Sequence, residues 1–178
     1  MAIPDYQTLM LPLLKTAADG VETPLAAEAT LAMAFGLSED ERAELLPSGK
    51  QRVFHNRVHW AKFYLQKAGL LESPKRGKFS ITALGKEVLA AVPPTIDVNF
   101  LKQFPAFMAF YSGDASAPSP VEMPQAATTQ TPEELVEGVQ KSLEAELRGE
   151  LLSRILQASP AFFEGLIVDL LLAIGYGG

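Results

Sequence analysis

Residues 48–81 read SGKQRVFHNRVHWAKFYLQKAGLLESPKRGKFSI, and this stretch decides the fold. Ser48 to Gln51 has the form of a capping box, which predicts a helix from Ser48 to Ala68 with Gly69 as its stop. At a helical period, Phe54, Val58, Ala61, Leu65 and Ala68 fall on one narrow apolar stripe. The opposite face carries Arg52, His55, Asn56, His59, Phe63 and Gln66, with Lys62 beside them. After Gly69 the pattern changes to a hairpin. Leu70 to Glu72 forms a short strand, Ser73 to Gly77 a turn, and Lys78 to Ile81 an alternating return strand.

Upstream, Pro4 opens a helix to about Ala18, stopped by Gly20. Thr23-Pro24 caps a second helix that ends at Gly36, and Ser38 to Glu41 is a capping box for a short third one to about Leu46. Downstream, Thr82 caps a helix from Ala83 to Ala91, closed by Pro93-Pro94. Helix, short strand, basic tip, strand and capped helix is the order of a winged helix. The expected fold is therefore mainly α with a small β-hairpin: a winged helix-turn-helix domain, then a flexible linker and two C-terminal helices.

Charge points the same way. The chain has 178 residues and a formal net charge of −6, yet residues 48–86 hold nine basic residues against the single acid Glu72. A concentrated basic region in an acidic chain is a local footprint for phosphate. Arg and Lys pair with guanine, and Asn and Gln with adenine, at the edges exposed in the major groove. The candidate base-reading residues are Lys50, Arg52, His55, Asn56, His59, Lys62 and Gln66 on the helix. Lys75, Arg76 and Lys78 at the hairpin tip are the candidates for phosphate contact, which gives affinity and register. The expected partner is double-stranded DNA. A solvated basic surface is the blander alternative. His55 and His59, one turn apart, have the spacing of two zinc ligands, but the chain offers no cysteine or third histidine, and no metal site is expected.

The C-terminal part is organised differently. Phe100, Leu101, Phe104, Phe107, Phe110 and Tyr111 recur at near-helical spacing and are expected to pack back on the winged helix. Residues 112–131 are rich in Ala, Ser, Pro and Thr and read as a tether. From Thr131 a long helix to about Ala158 carries Leu135, Val139, Leu143, Leu147, Leu151, Leu152 and Ile155 near one face. Ser159-Pro160 starts a last helix with a stripe of Phe163, Leu166, Ile167, Leu170, Leu171 and Ile174. The expected divisions are 1–111, 112–131 and 132–178, with the two last helices joining a second copy in a homo-oligomer. The absence of cysteine, of a signal peptide and of a membrane-length apolar run leads us to expect a soluble cytoplasmic protein.

Several stretches together resemble Mrr-type restriction endonucleases. They are Ile3 to Tyr6, Leu45 to Gln51, Ala61 to Glu72, Ile96 to Pro105 and Ser159 to Gly178. The resemblance implies part of a type IV restriction protein that recognises modified, methylated DNA and whose complete form cuts it with a magnesium-dependent PD-(D/E)xK nuclease. None of the nine lysines has Asp, Glu or Gln two positions before it, as that motif requires, and Glu164 alone matches a glutamate of the family's first nuclease helix. The expectation is a chain that binds DNA without cutting it, with no catalytic residue and no cofactor of its own. A winged-helix transcription regulator with a helical dimerisation tail is the alternative, and a protein-interaction module a third class.

Overall fold

The computed structural model describes residues 3–112 and 129–176. It is mainly helical, with one two-stranded antiparallel sheet. The chain divides into two compact units, Met1–Glu137 and Gly138–Gly178. The first turns of the long helix that starts at Pro132 lie in the first unit. Most of the expected tether, residues 113–128, lies outside the described residues.

Helix α1 (Tyr6–Ala18) starts where the Asp5 carboxylate accepts from the backbone N–H groups of Gln7 and Thr8, at 2.9 and 3.1 Å. Helix α2 (Pro24–Ala34) is capped by Thr23, and α3 (Glu39–Ala43) by the reciprocal bonds of Ser38 and Glu41. Helix α4 (Val53–Lys67) begins five residues later than the capping box at Ser48 implied. Gly49 sits at φ 70 in a tight turn, Leu46 donates to Gln51 O at 2.8 Å, and Leu45 bridges Arg52, so residues 47–52 form a loop. Arg52 then takes the N-cap position without a side-chain cap.

The hairpin pairs β1 (Leu71–Glu72) with β2 (Ser80–Ile81), with Leu71 opposite Ile81 and Glu72 opposite Ser80. Both strands are shorter than the sequence pattern suggested. Helix α5 (Ala83–Ala90) follows, capped by Thr82 through a 3.0 Å bond from Gly85 N–H. Two short helices, α6 (Val98–Leu101) and α7 (Pro105–Tyr111), carry the aromatic cluster back onto α4. Phe107 meets Tyr64 at 5.7 Å between ring centroids, and Phe110 meets Phe63 at 5.5 Å.

The first unit has one core. It unites Tyr6, Leu9, Met10, Leu13 and Leu14 of α1 with Leu31 of α2, Phe54, Val58, Ala61 and Leu65 of α4, and Phe79 of the hairpin. The whole expected apolar stripe of α4 is buried here. Burial pushes the Tyr6 phenol up to about 12 and the Tyr64 phenol higher still, so both rings stay neutral where they stack at 5.4 Å. In the second unit, the rest of α8 (Pro132–Gln157) is followed by α9 (Pro160–Ala173), capped by Ser159. None of its described residues is buried, and the leucine and phenylalanine stripes are exposed. Among the described residues no helix is long and apolar enough to cross a membrane.

Gly85 shows how closely α5 approaches the hairpin. A Cβ there would stand 2.3 Å from the backbone oxygen of Leu70 and 2.8 Å from Cγ1 of Ile81. Gly85→Ala must therefore displace backbone, and we expect a loss of about 2 kcal/mol in stability by chemical denaturation, as in overpacked cores. A neutral or stabilising effect would show that α5 does not pack this tightly.

Candidate nucleic-acid interface

Helix α4 has three faces, and each does something different. The apolar face is in the core. A second face carries Asn56, Arg57 and Trp60 and is covered by residues 131–137 of the same unit. The third carries Arg52, His55, His59, Lys62 and Gln66 and borders the hairpin.

The covered face is fixed by three glutamates. Arg57 donates from Nε and Nη2 to Glu134 Oε1, at 2.9 and 2.6 Å, and from Nη1 to the carbonyl of Ile3 at 2.6 Å. Trp60 Nε1 donates to Glu133. The backbone N–H and hydroxyl of Ser48 donate to Glu137 at 2.8 and 2.6 Å. Asn56 is buried; it accepts from the Thr131 hydroxyl at 2.6 Å and donates to Gln51 at 3.3 Å. Of the expected base-reading residues, Asn56 is thus the one placed in the interior, with its amide already engaged. The local pattern around Asn56 carries no sign of this, because the contact comes from 75 residues further along the chain.

The third face is held by an acid that the sequence pattern did not single out. Glu28, in the alanine-rich α2, has a nearly buried side chain and accepts from Arg52 at 2.8 Å and meets His55 Nδ1 at 2.8 Å. It fixes both side chains at the edge of α2 while leaving each partly exposed. His59 reaches the surface, and desolvation, then the charges of Lys62 and His55, lower its pKa below the ordinary histidine value. The Lys62 ammonium is likewise held down by partial burial. Gln66 donates to Ser73 at 2.6 Å, tying the end of this face to the hairpin turn.

Lys50, Lys75 and Arg76 are exposed, with no ion-pair partner among the described residues. Lys78 pairs with Glu22 at 2.6 Å, and its neighbour Phe79 donates from its N–H to Glu22 O at 2.8 Å, which anchors the hairpin to the α1–α2 loop. Lys67 is turned aside: its ammonium lies 5.3 Å from the Phe63 ring centroid and 4.7 Å from that of Phe110. Phe63 itself is half-buried, its ring edge-on to that of Phe110 in α7. Among the described residues no group of three or more His, Asp or Glu is placed to hold a metal ion, and His55 is engaged with Glu28.

A small helical unit whose fourth helix shares an open cationic face with a basic hairpin is an arrangement suited to a polyanion. The comparisons narrow this. Residues 6–91 match the family model of the Mrr N-terminal domain. The chain is also similar to the type IV methyl-directed restriction enzyme EcoKMrr of Escherichia coli (strain K12), at 32% identity over 191 aligned residues, covering 100% of this chain and 61% of the relative. No solved structure matches this chain.

The two kinds of cation separate by experiment. Arg57→Met strands Glu134 and removes four bonds, so we expect a loss of about 2 kcal/mol in stability. Lys75→Ala should leave the melting temperature unchanged. Equal effects of the two substitutions would contradict this division.

Proposed function

We propose that the first unit is a winged helix that binds double-stranded DNA as the recognition part of a restriction protein directed at modified bases. In this reading α3 and α4 form the helix-turn-helix pair, α4 enters the major groove, and the β1–β2 turn is the wing that follows a phosphate backbone. The observation that carries it is the continuous open face made by Lys50, Arg52, His55, His59, Lys62 and Gln66 with Lys75 and Arg76. The match of residues 6–91 to the Mrr N-terminal family model and the likeness to a methyl-directed restriction enzyme support modified DNA as the target.

Lys50, Lys75 and Arg76 supply phosphate contacts without breaking any internal pair. Arg52 and His55 are pre-positioned by Glu28, so little side-chain entropy remains to be lost on binding. Asn56 has no part in reading bases in this arrangement.

The magnesium implied by resemblance to a complete nuclease has no matching ligand set among the described residues. Glu164 stands exposed on α9, outside any cluster of metal-ligating groups, and no lysine has the acid or glutamine two positions before it that the nuclease motif uses.

The test is a salt series of affinity for one duplex. The native chain should bind at low salt with a steep slope of log K against log salt. Lys75→Ala with Arg76→Ala should flatten that slope by about 2, since each phosphate contact contributes about 0.9. No binding of duplex at low salt would overturn the proposal. A sequence-specific palindrome bound without regard to methylation would point to a transcription regulator instead.

A further inference from the structure

The turn before α4 grips an acidic group of the same chain. Ser48 donates from its backbone N–H to Oε2 of Glu137 at 2.8 Å and from its hydroxyl to Oε1 at 2.6 Å. Two donors of one residue thus hold both oxygens of a single carboxylate. Gly49, at φ 70, turns the chain so that the Lys50 N–H also approaches the Ser48 hydroxyl, at 3.5 Å. Lys50 is exposed and has no ion-pair partner among the described residues. A serine N–H and hydroxyl with a lysine beside them are donors of the kind that proteins set against the phosphates of a duplex. The two non-bridging oxygens of a phosphodiester present the same pair of acceptors as a carboxylate.

The segment that supplies Glu137 is fastened unevenly. Its near end is interior: the Thr131 hydroxyl donates to buried Asn56 at 2.6 Å, and Arg57 donates to Glu134 where both side chains are largely buried. Its far end, at exposed Ser48, is open to water. Stranding a buried polar group costs far more than parting an exposed pair whose groups water can serve. Residues 131–134 are therefore the fixed end, and Glu137 is the end that can let go.

We propose that Glu137 is a latch: its carboxylate occupies the seat of a DNA backbone phosphate at Ser48, and a bound duplex displaces it. The proposal rests on the DNA-binding reading above and adds to it a contact that the chain holds back from DNA. Lys50, Lys75 and Arg76 meet phosphate without breaking an internal pair, whereas the Ser48 seat is filled until Glu137 leaves. A phosphate contact carries no sequence information, so the latch lowers affinity for every duplex alike and leaves base preference untouched. Because Glu137 belongs to α8, occupation of this seat by DNA is felt at the start of that helix.

The experiment uses the 178-residue chain and two short duplexes of unrelated sequence, with affinity read by fluorescence anisotropy at low salt. Glu137→Ala should bind both duplexes about fivefold tighter than the native chain, the gain when an exposed hydrogen-bonded contact no longer has to be broken first. Glu44→Ala is the control for loss of a negative charge alone. Glu44 is exposed beside the same turn, its carbonyl accepting from the Val53 N–H at 2.9 Å, and its removal should change affinity by no more than about twofold. In the native chain, the carboxylate carbon resonance of Glu137 should shift when duplex is added while those of Glu133 and Glu134 stay, a result that does not depend on any variant folding. Inorganic phosphate alone, at the same phosphate concentration, should leave all three unmoved.

Failure of every duplex to bind, to the native chain and to Glu137→Ala alike, would remove the DNA-binding reading and this proposal together. Binding that is no tighter in a folded Glu137→Ala would overturn the latch alone. So would an equal gain in Glu44→Ala, a gain with only one of the two duplexes, a Glu137 resonance unmoved in the bound complex, or one that moves as far with inorganic phosphate.

Discussion

Packing of α4 against α1 buries Phe54, Val58, Ala61 and Leu65 in one core with Leu9, Met10, Leu13 and Leu14. At about 1.5–3 kcal/mol for each large side chain fully removed from water, no polar interaction in the unit competes with this. It also fixes the rotation of α4 about its own axis. Once the apolar stripe points inward, Arg57 and Trp60 must face residues 131–137, and His55, His59 and Lys62 must face the hairpin. The open cationic face is therefore a consequence of core packing rather than a separate device.

Acidic residues decide which cations remain free. Glu134 holds Arg57, Glu28 holds Arg52, and Glu22 holds Lys78, while Lys67 rests on two aromatic rings. The nine bases between residues 48 and 86 are thus not one uniform patch. Lys75 and Arg76 at the hairpin tip and Lys50 before α4 project outward, flanking a face whose other members are held in place. Strongly hydrated cations at the rim and partly desolvated ones at the centre suit long-range attraction followed by close contact. The Glu133, Glu134 and Glu137 contacts serve a second end: they anchor the start of α8 to the first unit, whatever the second unit does.

Much of this was legible in the sequence. Periodicity placed the buried stripe of α4 correctly, because a helix of that length with apolar residues on one side has only one way to bury them. Caps at Thr23, Ser38, Thr82 and Ser159 marked four helix starts, each through a local bond within three residues. Ser48 misled for the same reason inverted. Its hydroxyl finds Glu137, 89 residues away, and the local pattern carries no trace of that partner. Asn56 and Glu28 are of this kind too. Asn56 looks like a surface amide until Thr131 covers it, and Glu28 looks like a solvated acid until α4 crosses α2. Long-range polar pairs are invisible to local pattern because neither partner changes the spacing of its neighbours.

We propose that the hairpin tip and the open face of α4 together form the DNA-binding surface. Backbone amide hydrogen exchange of the native chain, with and without a short duplex at low salt, tests it most directly. Exchange should slow at residues 73–79 and 49–55 when duplex binds, and stay unchanged in α9. Protection confined to α8 or α9, with the hairpin unaffected in a bound complex, would contradict it.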